Sequence, residues 1–214
     1  FGPDAPGGLA QLLIGGREVG EALAQDARIP LVSATGSTRM GRAVAQTVAG
    51  RLGRSLLELG GNNAMIVTES ADLEMAARAI LFSAVGTAGQ RCTTLRRLLV
   101  HDSVADALIA RLKTAYDSLP VGDPRETGVL VGPLIDEAAA EGFDAALEQA
   151  VAEGGAVLAG GGRADRPGAY VRPALVAMPG QSDVVLRETF APILCVLRWR
   201  DFEDAVALQN AAPQ

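Results

Sequence analysis

Short apolar runs alternate with segments of helical period along the 214-residue chain, glycine-rich turns fall between them, and 49% of the residues are apolar. These three observations predict an α/β fold with a parallel sheet, large enough to bury a substantial core. In order, residues 9–14 form a candidate strand that meets Gly15-Gly16, and Arg17–Gln25 reads as a helix with Val19, Ala22 and Leu23 on its apolar side. Residues 30–34 form a second strand, so the opening reads as a strand, glycine turn, helix, strand unit. The turn at residues 35–41 opens a helix carrying Val44, Val48 and Leu52, and the apolar run 55–59 ends in Gly60-Gly61-Asn62-Asn63.

The alternation then continues. Residues 64–67 read as a strand, Ser70 or Asp72 caps a helix, and Leu73, Ala76, Ala77, Ile80, Leu81 and Ala84 recur at helical spacing on it. Residues 98–100 form a strand; Ser103 caps a helix that buries Val104, Leu108, Leu112, Ala115 and Leu119; and residues 120–132 form a loop broken by Gly122, Pro124 and Gly128. Asp136 caps the next helix, with Ala139, Phe143, Leu147, Ala150 and Val151 inward and Gly154-Gly155 ending it. Strands follow at Ala156–Ala159, 170–176 and Ile193–Trp199, then a helix from about Phe202.

Composition excludes several classes of function. A formal charge of −6 without a basic block argues against nucleic acid, because phosphate binding needs clustered Lys and Arg. No apolar stretch reaches membrane-spanning length, and the two cysteines suit a reduced compartment, so a cytoplasmic protein acting on a small molecule is expected. The chain starts at Phe1 in a Gly/Pro-rich loop and ends shortly after a helix, and so reads as an internal piece of a longer protein.

The two cysteines have opposite surroundings. Cys195 lies in the apolar run Ile193-Leu194-Cys195-Val196-Leu197 and reads as core, where a thiol is inert. Cys92 lies in Gly86-Thr87-Ala88-Gly89-Gln90-Arg91-Cys92-Thr93-Thr94, among small and polar residues, and is the candidate nucleophile; its context alone leaves a structural role open. Glu58 is the second notable residue, since a carboxylate in an apolar strand is costly to bury unless it is paired, protonated or used. The turn 15–20 is not a G-x-G-x-x-G fingerprint, so it reads equally as a plain helix start. At the second turn Ser37 and Thr38 serve either an anionic group or an ordinary cap. His101 reads as a surface residue.

Four strings in order carry a resemblance: Thr35-Gly36-Ser37-Thr38 with Gly41, Glu58-Leu59-Gly60-Gly61, Gly89-Gln90-Arg91-Cys92, and Glu188-Thr189-Phe190-Ala191-Pro192. The chain resembles the NAD(P)-dependent aldehyde dehydrogenase superfamily, and the 34 positions between residues 58 and 92 match that family's arrangement. The fuller strings at 58–64 and 86–94 are most similar to its antiquitin branch, which oxidises α-aminoadipic semialdehyde, in equilibrium with piperidine-6-carboxylate, in lysine breakdown.

The resemblance implies a partial Rossmann-like dinucleotide-binding domain over 1–59. An α/β three-layer catalytic domain over 60–214 would follow, truncated at its C-terminal end. It implies Cys92 as nucleophile, Glu58 as general base for thioester hydrolysis, and NAD as cofactor, with NADP not excluded. Gly16 and Gly20 would lie near the pyrophosphate, Gly36 and Ser37 at the second turn, Glu188 on the nicotinamide ribose and Phe190 against the nicotinamide. Ala191 departs from the glycine of the commoner motif. Arg91 would grip the polar end of the substrate, unless it belongs to a surface cluster with Arg96 and Arg97. A small-molecule aldehyde is the implied partner and a homo-oligomer, a tetramer, the implied assembly. The isolated chain is expected to be inactive. A thiol enzyme without nicotinamide, or a non-catalytic α/β protein, are the alternatives.

Overall fold

The computed structural model describes residues 6–213 and divides the chain into two compact units, Phe1–Leu59 and Gly60–Gln214. The first unit contains α1 (Arg17–Gln25), β1 (Leu31–Thr35), α2 (Thr38–Gly50) and β2 (Arg54–Glu58). β1 and β2 pair in parallel, from Leu31 opposite Arg54 to Thr35 opposite Glu58. Gly36 N–H extends the ladder by donating to the Glu58 carbonyl at 3.0 Å. Ser37 ends the turn and caps α2, its Oγ accepting the Met40 N–H at 3.1 Å. That bond satisfies one of the free donors of the helix start.

Two expectations fail in this unit. Residues 9–14 form no strand, and Leu12 and Ile14 are more than four-fifths exposed. A strand exists only through the neighbour that takes its hydrogen bonds, and among the described residues β1 pairs with β2 alone. The crossover unit is therefore β1–α2–β2 and excludes α1. Leu52 does not continue the inner face of α2 either. The helix stops at Gly50, Leu52 turns to φ 60°, and its side chain is 95% exposed.

The second unit is a five-stranded sheet in the order β3 (Asn63–Val67), β4 (Leu95–His101), β7 (Ile193–Trp199), β6 (Ala174–Ala177), β5 (Ala156–Ala159). All pairings are parallel except the edge pair β5–β6. β4 and β7 sit in the middle and are buried along nearly their whole length, as a parallel sheet covered on both faces requires. Helices α3 (Leu73–Val85), α4 (Asp102–Asp117), α5 (Glu137–Ala152), the single turn α6 (Asp183–Leu186) and α7 (Phe202–Asn210) complete the unit. Ile80, Leu108, Leu112 and Phe143 are fully buried with the strands in one core.

The caps largely follow the sequence. Asp72 Oδ1 accepts the N–H groups of Glu74 (2.9 Å) and Met75 (3.1 Å), and Asp136 Oδ1 that of Ala139 (2.8 Å). Ser103, by contrast, lies inside α4; the cap is His101, whose Nδ1 meets Ser103 Oγ at 2.7 Å and whose ring stands edge-on to Trp199 at 4.8 Å. The strand expected over 170–176 begins only at Ala174, Val171 making an isolated bridge with Arg163.

One feature of the topology positions the site. β3, β4 and β7 are adjacent and parallel, so the segments that lead into them lie at one end of the sheet, where these strands begin. Those segments are Gly60-Gly61-Asn62, the Cys92 loop and residues 187–192.

Candidate active site

Cys92 is exposed at the end of the loop that joins α3 to β4. The loop opens with a tight turn over Gly86–Gly89 in which Thr87 (φ 55°), Ala88 (φ 51°) and Gly89 (φ 71°) all adopt left-handed backbone. Threonine and alanine are strained there by about 1–3 kcal/mol each. At Gly89 no other residue fits, because a Cβ would lie 2.4 Å from the Ala191 carbonyl carbon. The Cys92 loop and the Ala191-Pro192 segment thus touch backbone to backbone, and Ala191 is accommodated, buried at 1% exposure.

Hydrogen bonds hold the loop from three sides. Asn63 Nδ2 donates to the carbonyls of Cys92 (2.7 Å) and Thr94 (3.0 Å). Gly61 lies so close to the Cys92 carbonyl that a Cβ would be 2.8 Å from it, and this explains the glycine there. Gln90 Oε1 accepts the Ile135 N–H at 2.8 Å, and Arg91 N–H donates to Thr94 Oγ1 at 3.1 Å.

Arg96 and Arg97 are not a surface cluster: they are 4% and 0% exposed. Arg97 donates to the Asn62 carbonyl, Gln181 Oε1 and the Leu208 carbonyl at 2.8–3.1 Å. Arg96 donates to carbonyls of the three segments that lead into β3, β4 and β7 and to Glu188 Oε1 at 3.3 Å. Burial pushes the Arg96 guanidinium below its usual range; the Glu188 carboxylate, and more weakly the Cys92 sulfur, pull it back. Both residues were missed from sequence. The signal was present, since the cost argument applied to Glu58 applies to two arginines opening the apolar run Leu98-Leu99-Val100.

Glu188 is partly buried beside Arg96. Its Oε1 accepts the Gly61 N–H (3.2 Å) and Arg96 Nη2, and its Oε2 lies over Gly60, where a Cβ would be 1.8 Å away. Phe190 is 48% exposed, with the Arg96 guanidinium 5.3 Å from its ring centre. Arg91 is exposed, 5.8 Å from the ring centre of the exposed Phe82 and close against Gly86. No carboxylate among the described residues pairs with it.

The first unit holds the remaining candidates. Glu58 ends β2 and is exposed, contrary to the buried carboxylate read from the apolar run, because this two-stranded sheet leaves three of the four other β2 residues exposed as well. Gly16 is the N-cap of α1, its N–H donating to Glu18 Oε1 at 3.1 Å. Gly36 and Ser37 form the turn before α2. A cleft of about 640 Å³ lies between α1, β1 and α2, lined by Gly20, Ala24, Val32, Thr35, Arg39 and Val44 among others. Its lining is mainly apolar with Arg17, Glu21 and Arg39 as charged residues, and of the expected cofactor positions it includes Gly20.

Cys195 is the opposite of Cys92. It pairs with Arg97 and Val176 in β7, is 6% exposed, and burial pushes its thiol up to about 12.

The chain matches the Aldehyde dehydrogenase family over residues 3–214. It is 48% identical over 209 residues to Aldehyde dehydrogenase family 7 member A1 of Brassica napus, covering 98% of this chain and 42% of that protein. It is likewise 48% identical over 210 residues to alpha-aminoadipic semialdehyde dehydrogenase of Bos taurus, covering 98% and 39%. It therefore spans about two fifths of the length of the relatives it matches. Among solved structures it is similar to an E. coli NADP dependent enzyme (TM-score 0.88, 34% identity, 92% of this chain and 41% of that one). It is also similar to PnpE in complex with nicotinamide adenine dinucleotide (TM-score 0.87, 33% identity, 90% and 40%). The chain belongs to the aldehyde dehydrogenase family.

Proposed function

We infer that the complete protein oxidises an aldehyde to a carboxylic acid with NAD, and that the aldehyde is of the 2-aminoadipate 6-semialdehyde type. The observation that carries this reading is the exposed Cys92 on a loop clamped against Gly60-Gly61 and against the segment of Glu188 and Phe190. The relatives' names support the substrate, and the likeness to both an NAD complex and an NADP dependent enzyme leaves either cofactor open.

The chemistry follows from the residue types. The Cys92 thiolate attacks the aldehyde carbon to give a thiohemiacetal, and loss of hydride leaves a thioester on sulfur. NAD supplies the hydride acceptor. Glu58 takes a proton from water as hydroxide adds to the thioester, and the collapse returns the thiolate and releases the acid. Gly16, Gly20, Gly36 and Ser37 would hold part of the dinucleotide, Glu188 would bind the ribose hydroxyls, and Phe190 would flank the nicotinamide. Arg91, unpaired beside Phe82, grips the substrate carboxylate by paired hydrogen bonds. A cytoplasmic homo-oligomer is part of the same proposal.

The test is made in the complete enzyme. Cys92→Ala should cut aldehyde-dependent NADH formation by on the order of 10⁴. Arg91→Gln should raise KM for aminoadipate semialdehyde about tenfold or more while an uncharged aldehyde of similar length changes less than about threefold. Glu58→Gln should give one NADH per thiol and then stall. Equal losses on both aldehydes remove the substrate assignment, and full turnover without Cys92 removes the mechanism.

A further inference from the structure

We propose that Arg96 is the positioning residue of the site, a single buried guanidinium that ties the Cys92 loop to the segment of Glu188 and Phe190. The proposal deepens the function given above and rests on it for the roles of the thiol and the acid.

The case begins with the burial of a charge. Arg96 is 4% exposed, and a cation taken from water is tolerated only where its donors are used. Here they are used across three stretches of chain. Nε donates to the Gly61 carbonyl at 3.2 Å; Nη1 to Thr189 at 2.6 Å, Gly89 at 3.3 Å and Ala191 at 3.5 Å; and Nη2 to the Arg91 carbonyl at 3.1 Å. Nη2 also reaches Glu188 Oε1 at 3.3 Å, and the guanidinium plane stands 5.3 Å from the Phe190 ring centre.

These acceptors are not a random sample of the core. Gly89 closes the strained turn and Arg91 immediately precedes Cys92; Thr189 and Ala191 bracket Phe190; Gly61 adjoins the Cys92 carbonyl. A left-handed turn through Thr87 and Ala88 persists only when its surroundings overdetermine it, and the rigid fork of an arginine supplies that constraint. A lysine has the charge but a single nitrogen, so it cannot reach the three segments together. With Oε1 of Glu188 held by Arg96 and the Gly61 N–H, Oε2 is left for a ligand, no hydrogen bond to it being made among the described residues.

The experiment compares Arg96→Lys, Arg96→Gln and Glu188→Gln in the complete enzyme, by hydrogen exchange without cofactor or aldehyde and then by steady-state kinetics. Both Arg96 variants should speed amide exchange across residues 86–94 about tenfold or more while β4 and β7 stay protected. Both should lower kcat about tenfold or more with the aldehyde KM within about threefold, the lysine giving no rescue. Glu188→Gln, which leaves Arg96 its carbonyls, should keep that exchange within about threefold of the parent.

Parent-like exchange in both Arg96 variants overturns the proposal, as does rescue by lysine. Loss of protection throughout the sheet overturns it too, by making Arg96 a general core residue. Acceleration in Glu188→Gln equal to that in the Arg96 variants would move the restraint to the ion pair and overturn the carbonyl account. Because exchange needs no substrate, local acceleration in an enzyme that oxidises no aldehyde would sink the function and leave the positioning role standing.

Discussion

Cys92 and Cys195 are the same side chain in two environments of one unit, and the contrast separates what makes a thiol reactive from what makes it inert. Cys195 lies in a central strand, closed off by apolar neighbours, and burial alone pushes its thiol up to about 12. Cys92 is held as firmly, but by its backbone: its carbonyl is bound by Asn63 and its loop by Arg96 and Gln90, which leaves the residue exposed. Fixing the main chain while exposing the side chain is what a nucleophile needs.

Alkylation tests the contrast most sharply. At pH 8 iodoacetamide should modify Cys92 faster than Cys195 by on the order of 10³, since a thiol held near 12 is almost wholly protonated and also shielded. Comparable rates in the folded protein would remove the distinction.

Alkali should erase it. The folded Cys195 holds its proton more tightly than the unfolded chain does, so the stability it contributes is complete below the ordinary thiol value near 9. It is lost as pH rises from there through about 12. The loss is on the order of 4 kcal/mol at most. Tyr116, pushed up by its own burial and secondarily by Cys195, acts in the same direction. Denaturant midpoints measured from pH 8 to 11 should fall, and a flat profile would contradict the buried thiol.

Gly89→Ala strikes only the Cys92 side. Its Cβ would meet the Ala191 carbonyl and its φ of 71° would be strained, for a cost of about 3 kcal/mol. Aldehyde oxidation by the complete enzyme should be lost while Cys195 stays unreactive; retained activity would show that the contact yields. Cys195→Ala is the smallest change, about 1 kcal/mol in unfolding free energy, with turnover unaltered. A loss of turnover there would give the core thiol a part in the chemistry.

Much of this was legible in advance because it is local. The alternation of strands and helices follows from periodicity, the caps at Asp72 and Asp136 from side chains beside their helix starts, and the difference between the cysteines from their immediate neighbours. The failures share a cause. Residues 9–14 look like a strand but have no partner; Glu58 looks buried but ends a sheet of two strands; Arg96 and Arg97 look like surface charges but are enclosed.

From its order of residues alone, then, this chain determined which segments would be regular and which sulfur would be approachable, since both depend on neighbours a few positions away. Only the tertiary structure decided that Gly61 and Glu188, 127 positions apart, would share a hydrogen bond beside the Cys92 loop. It did so through the parallel order β3-β4-β7, which brings their leading segments to one end of the sheet. Burying a charge is tolerable only once distant carbonyls are in place to receive it, and no window of sequence contains them.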